Sequence, residues 1–283
     1  MQRKILRKQL VCLALVLVFI STVSLGAEAG ELYVHFIDVG QGDSVLIQTP
    51  TGTNVLVDAG VTKSGRESVV PYLKKLGIKH LDLVVMTHPH FDHIGGLVPV
   101  IEAYSVGRIL ADGQIHTTKT YEELLQLILQ KEIPFSLART QGQLTVQGLD
   151  EVAILNPKEP MLKGLNNNSV VLWFRHGQVT FLLTGDIEKE AEARIVAEEE
   201  LPRAKVLKVA HHGSNTSSIP QFIEAVAPEY AVIQVGAGNS YGHPNAETLQ
   251  TLEKVGAEVG RTDLDGTVIV ISDGTSYRVV KEK

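Results

Sequence analysis

The stretch that decides the fold is "LDLVVMTHPHFDHIGG", residues 81–96. Its apolar run, Leu83 to Met86, is too short for a helix and suits a strand buried on both faces. Three histidines and one aspartate then fall within six positions, His88 to His93, before Gly95-Gly96. In extended chain, residues i and i+2 point the same way, so His88 and His90 leave the strand end on one side. Pro89 keeps His88 out of the helical region. Asp92 and His93 follow where the chain turns, and can present a second set of ligands close to the first. Imidazole and carboxylate together suit Zn²⁺, Mn²⁺ or Fe²⁺. A polar surface loop is the plain alternative, but only ten histidines serve the 283 residues, and spending three here is a specific signal.

Outward from this motif the chain alternates between two periods. Upstream, "LYVHFIDV", "SVLIQT" and "NVLVDAG" read as strands without helices between them, as in an antiparallel meander. "ESVVPYLKKLG" reads as a helix stopping at Gly77, and "YEELLQLILQKE" as an amphipathic helix. Downstream, strands are expected at "VAILN", "SVVLWFRH", "VTFLLTG", "KVLKVA" and "AVIQVG". Helices are expected at "IEKEAEARIVAEEE", "IPQFIEAVA" and "NAETLQTLEKVG", and a hairpin across Asp273-Gly274. No linker splits the chain. The pattern predicts one α/β (α+β) domain over residues 30–283, two sheets face to face with helices outside, an αββα four-layer sandwich.

Other candidate ligands stand at later strand ends. Asp186 closes "FLLTGD", where it also suits the N-cap of the next helix. His211 and His212 close "LKVAHH"; adjacent side chains diverge, so one at most is expected to face an ion and the other to meet substrate or move a proton. His243 precedes a helix in "YGHPNAETL" and also suits a helix-entry turn. Asp58, in "VLVDAG", is either a turn residue or a carboxylate that orients a ligand histidine. Asp38 and Asp43, in "IDVGQGDS", read as organisers of a glycine turn or as purely structural.

H-x-H-x-D-H after a buried strand resembles the metallo-β-lactamase superfamily. "FIDVGQGDSVLI", "THPHFDHIGGL", "NNNSVVL", "LLTGD", "KVAHHGSNTSS" and "YGHPNAETLQTL" together are similar to the metallo-hydrolase domain of ComEC-type competence proteins. The resemblance spans residues 36 to 252 and implies an αββα metallo-β-lactamase fold. It implies His88, His90, Asp92, His93, Asp186 and His243 as metal ligands, for one or two ions of Zn²⁺ or Mn²⁺. It places His211 and His212 beside the scissile phosphate as catalytic groups, with Asp92 both binding metal and orienting the nucleophile. The implied reaction is phosphodiester hydrolysis by a metal-activated hydroxide, as in a nuclease acting on DNA. Hydrolysis of an amide, thioester or lactone on the same fold is the alternative, and a non-catalytic metal-dependent surface binding protein another. Two departures stand out. The competence proteins carry a multi-helix channel, and this sequence has no such spans, so a role in DNA uptake does not carry over. Where many superfamily members place a histidine, this chain has Asn166-Asn167-Asn168-Ser169. Asn168 is thus expected to support the centre from outside the ligand set, weakening one metal position or favouring a harder ion such as Mn²⁺.

The N-terminus has a basic head (Arg3, Lys4, Arg7, Lys8), an apolar run to Leu25 and a small-x-small end at Ala27 and Ala29. These are the parts of a signal peptide over residues 1–29 and imply an exported, extracytoplasmic protein; an N-terminal membrane anchor is the alternative. The only cysteine, Cys12, lies in this segment, so residues 30–283 hold no disulfide. They carry 22 basic against 31 acidic residues, a balance of −9. That excludes a nonspecific electrostatic nucleic-acid binder but not an enzyme gripping phosphate through metals. A DNA groove would need local basic residues, with Lys119, Arg139, Lys158, Lys163 and Arg203 as candidates.

Overall fold

The computed structural model describes residues 30–140, 144–197 and 201–283. The signal peptide expected over residues 1–29 lies outside them. The first three strands, β1 (Leu32–Phe36), β2 (Val45–Gln48) and β3 (Asn54–Val57), form the expected antiparallel meander. After a crossover and a two-residue strand β4 (His80–Leu81), the motif strand β5 (Leu83–Met86) pairs in parallel with β3. A short β6 (Ser105–Val106) bridges to β4 in a separate two-stranded sheet. Two strands that no periodicity announced, β7 (Ile109–Ala111) and β8 (Phe135–Leu137), extend the sheet in parallel; three residues are too few for an alternation to register.

The second sheet collects β9 (Glu151–Asn156), β10 (Val171–His176), β11 (Val179–Leu183), β12 (Val206–Lys208), β13 (Tyr230–Ile233) and β14 (Glu258–Arg261). Its order is β14-β13-β12-β11-β10-β9. The C-terminal hairpin, β15 (Val268–Ser272) and β16 (Tyr277–Lys281), returns to the first sheet. β15 pairs antiparallel with β1, giving the order β16-β15-β1-β2-β3-β5-β7-β8.

Strand alternation builds the layers. Val34, Phe36, Val45, Ile47, Val57 and Val85 of the first sheet meet Leu172, Phe174, Phe181, Leu183 and Val232 of the second in one buried core. Leu46, Leu56, Val84 and Met86, of opposite parity, face outward onto the helices Val70–Lys75, Leu97–Ala103 and Lys119–Gln130. Leu182, Leu207, Ala231 and Ile233 likewise face Lys189–Ala197, Pro220–Val226 and Ala246–Lys254. The outcome is the αββα sandwich. The helix expected from Glu67 begins earlier, at Thr62, and runs through a π-turn at Gly65–Val69. Gly77, at φ +73°, ends it as expected. Among the described residues no helix is long and apolar enough to cross a membrane.

Candidate metal centre

Five chain segments meet at one rim of the sandwich. β5 delivers Thr87 and His88, and the turn beyond it begins the short helix Phe91–Ile94 that carries Asp92 and His93. The loop after β1 brings Asp43 onto this turn. Gly42 there has φ +128°, and a Cβ on it would lie 2.2 Å from the Asp92 carbonyl oxygen, so only glycine allows the approach. Asp186 follows β11, and His211 and His212 follow β12. Asp58, His211 and His212 all sit at positive φ (56°, 50° and 56°), a conformation costing a non-glycine residue about 1–3 kcal/mol. Beyond the histidines, fully buried Glu192 accepts the Ser218 and Ile219 backbone N–H groups at 2.7 and 2.9 Å and clamps the segment in place.

Three imidazoles are oriented by their outer nitrogens. His93 Nδ1 donates to Asp58 Oδ2 at 2.8 Å, and Asp58 is itself held by the Thr87 N–H and hydroxyl. His212 Nδ1 donates to the Gln234 carbonyl at 2.9 Å. His88 Nδ1 meets the Thr87 and Ser169 hydroxyls at 3.1 and 3.2 Å. Each Nε2 then points into a common space. His93 Nε2 lies 3.1 Å from Asp186 Oδ2, His212 Nε2 lies 3.4 Å from both Asp186 Oδ2 and Asp92 Oδ2, and His88 Nε2 lies 3.0 Å from His90 Nδ1.

The donor set fits divalent cations. His212 Nε2 is buried without a hydrogen-bond partner. A lone pair aimed at two carboxylates is unfavourable unless a cation stands between them. Two ligand groups, His88–His93–Asp186 and Asp92–His93–His212, each keep their ligating atoms within 4.8 Å of one another.

Electrostatics agree. Burial alone would depress the pKa of His93 and His212, but Asp186 with Asp92, and Asp186 with Asp43, outweigh it and hold both well above the ordinary imidazole value. Burial would also raise Asp186, yet His212 and His93 keep it well below the carboxylate range. His88, buried beside His93, is pushed well below. The carboxylates thus demand cationic neighbours, a demand that protons or metal ions meet.

The structure gathers His88, His90, Asp92, His93 and Asp186, with Asp58 behind His93. His212, expected beside the phosphate, lies inside the cluster. His243, expected among the ligands, sits at the mouth, its ring 5.8 Å from that of His211 and 6.4 Å from that of His212. Asn168 turns away: its amide bonds Leu162, Gly164 and Gln114 and ties down its own loop. Its neighbour Ser169 touches His88 instead, and Asn166 lies 3.5 Å from His211 Nε2. Asp38 accepts the Gly40 N–H outside the cluster, whereas Asp43 enters it, 3.3 Å from His212 Nδ1. Sequence reading missed Lys208, which is buried against Asp43. The signal was the second lysine of "KVLKVA", a charge set inside an apolar run just before the histidine pair.

Above the centre opens a cavity of about 320 Å³, lined by Gln41, Phe91, Asn166, His211, Tyr241 and His243 besides the cluster. Among the described residues no lysine or arginine lines it, and the five basic candidates are not on its wall. Phe91 and Tyr241 are 50% and 66% exposed, and Tyr241 stacks on His243 at 5.6 Å.

Histidines and carboxylates converging at the rim of an αββα sandwich define a metal-dependent hydrolase. The chain belongs to the metallo-β-lactamase superfamily, whose family model matches residues 37–237, and that fold binds divalent metal ions. It is 33% identical to ComE operon protein 3 of Bacillus subtilis over 85% of its length, and 32% identical to competence protein ComA of Neisseria gonorrhoeae over 84%. It spans about a third of each: 33% and 32% of their lengths. Its resemblance is therefore to the hydrolase portion of ComEC-type proteins. Among solved structures, the metallo-β-lactamase fold protein YhfI from Bacillus subtilis matches with a TM-score of 0.56 at 15% identity, covering 86% of this chain and all of YhfI. CmlA, a diiron β-hydroxylase from Streptomyces venezuelae, matches at 0.56 and 14% over 89% of this chain and 54% of its own.

Proposed function

We propose that this chain is an extracytoplasmic phosphodiesterase, of nuclease type, working at a pair of Zn²⁺ or Mn²⁺ ions. The observation that carries the ion pair is His212 Nε2, which meets Asp92 and Asp186 equally at 3.4 Å with no donor between. On this reading His88 and His90 would hold one ion, Asp92, His93 and His212 would hold the other, and Asp186 would serve both. When bound, such ions polarise phosphoryl oxygens and lower the pKa of a coordinated water toward about 7.

The residues at the mouth supply the rest. Asp92, about a third exposed, orients the attacking water. His211, His243 and the Asn166 amide are donors on the cavity wall and suit the oxygens of an anionic phosphoryl group. His211, outside the ligand set, protonates the departing oxygen. Phe91 and Tyr241 offer exposed ring faces to a base beside the scissile bond. The name of one relative, competence protein ComA, agrees with a nucleic-acid substrate. The basic head and apolar run at the N-terminus support export.

The test is turnover of bis(p-nitrophenyl) phosphate, single-stranded DNA, a β-lactam and a lactone by metal-loaded protein and its Asp186→Ala variant. Phosphodiester cleavage lost in the variant is expected. A strong β-lactam or lactone rate without phosphodiester cleavage would overturn the proposal, and metal binding with no turnover would favour a binding protein.

A further inference from the structure

Lys208 is the buried charge at the centre that the chemistry above does not use. It closes β12 and is 1% exposed. Its parity matches Val206, which faces the other sheet, so its side chain runs along the inter-sheet side to the rim. There Nζ donates to the Gly185 carbonyl at 2.9 Å, pairs with Asp43 Oδ2 and lies 3.8 Å from Asp186 Oδ1. It does not line the cavity, so it acts through other groups.

These contacts divide Asp186 in two. Oδ2 faces His88, His93, His211 and His212 at 3.9, 3.1, 3.9 and 3.4 Å. Oδ1 is buried, has no hydrogen-bond partner and faces the lysine. The same contacts sort the possible ion positions. Four groups of three ligating side chains occur among the described residues. In Asp43–Asp58–His93, the His93 Nδ1 hydrogen is already given to Asp58. In Asp43–Asp186–His212, the ammonium already sits against both carboxylates. That leaves Asp92, His93 and His212 for one divalent ion and His88, with Nε2 3.0 Å from His90 Nδ1, for another, with Asp186 within reach of both sets.

We infer that Lys208 is a positioning residue: its ammonium is a built-in cation at the Asp43–Asp186–His212 group and holds Asp186 with Oδ1 toward the lysine and Oδ2 toward the histidines that would hold the ions. The inference rests on the two-ion reading of the centre. Lysine suits the task because its charge needs no exchangeable ligand, and because one buried carboxylate, Asp43, pairs with it.

Chelator-stripped protein titrated with Mn²⁺ tests this, with metal content, binding constants and low-temperature EPR as readouts. Lys208→Met alone leaves Asp43 unpaired and risks misfolding; Lys208→Met/Asp43→Asn removes the pair together, with Lys208→Arg, which keeps a cation beside Asp43, as the control. The parent and Lys208→Arg should take up two ions and give the exchange-coupled signal of a bridged Mn²⁺ pair. The double variant should fold, as judged by near-UV circular dichroism, yet hold the second ion about 10- to 100-fold more weakly and lose the coupled signal. Parental affinity and coupling in the double variant would reduce Lys208 to a partner for Asp43 and overturn the inference. A parent protein that takes up no ion pair would overturn the two-ion reading itself, and the inference with it.

Discussion

Asp58 and His93 stand 35 residues apart in the chain and 2.8 Å apart in the fold, joined by the His93 Nδ1–H donated to Asp58 Oδ2. That bond sets which imidazole nitrogen is left for an ion. Asp58→Asn offers an amide that can present a donor to the same nitrogen, so His93 loses its fixed tautomer. Metal affinity should fall about 10- to 100-fold, read by competition with a chromophoric chelator. Unchanged affinity would mean that Asp58 serves the turn alone.

His212 and His243 separate by the same kind of measurement. His212→Ala should lose one bound ion per chain, since its Nε2 faces Asp92 and Asp186. His243→Ala should keep the full metal content and instead raise KM for a phosphodiester, because its ring lies at the mouth. The reverse pattern, metal lost with His243 and kept with His212, would reinstate the ligand set expected from resemblance.

Metal uptake should weaken as pH falls. In the ion-free chain His93 and His212 have raised pKa values, so near neutral pH an ion must displace a proton from each. Titration calorimetry in buffers of differing ionisation enthalpy should register that release. The sign for stability is the opposite. A histidine with a raised folded-state pKa stabilises the ion-free fold below its unfolded value, near 6.5. That contribution is lost as pH rises through the folded-state value. Ion-free protein should therefore become less stable from near-neutral to alkaline pH, and metal-loaded protein should not. Urea titrations with identical pH slopes in both forms would contradict this.

Tyr241→Ala and Phe91→Ala should weaken single-stranded DNA by about 1–3 kcal/mol per lost stack while sparing bis(p-nitrophenyl) phosphate, which has no base. With no lysine or arginine lining the cavity among the described residues, the affinity should also depend only weakly on salt. A steep salt slope would point to a basic groove elsewhere on the surface.

Phe181→Ala probes the layer between the sheets. Phe181 is fully buried and stacks on Phe174 with centroids 4.8 Å apart, so its truncation should cost about 3–5 kcal/mol in urea denaturation of the metal-loaded protein. A cost below 1 kcal/mol would mean the sheets close over the space.

The sandwich was legible because its strands and helices carry different periods, and His88, His90, Asp92 and His93 because they share one strand end. Those are local relations, set by backbone geometry over a few residues. The alternating apolar residues of β5 and the spacing H-x-H-x-D-H already imply a buried strand that ends in ligands. Other relations were not local. That β15 lies beside β1, that left-handed φ values turn His212 inward, that Asn168 faces its own loop, and that Lys208 meets Asp43 all depend on packing between segments far apart in the chain. Local pattern was enough to set the elements and the chemistry of the donors. Tertiary structure alone decided which nitrogen and which carboxylate oxygen face a common point, because that choice belongs to hydrogen-bond partners that only the closed sandwich brings within reach.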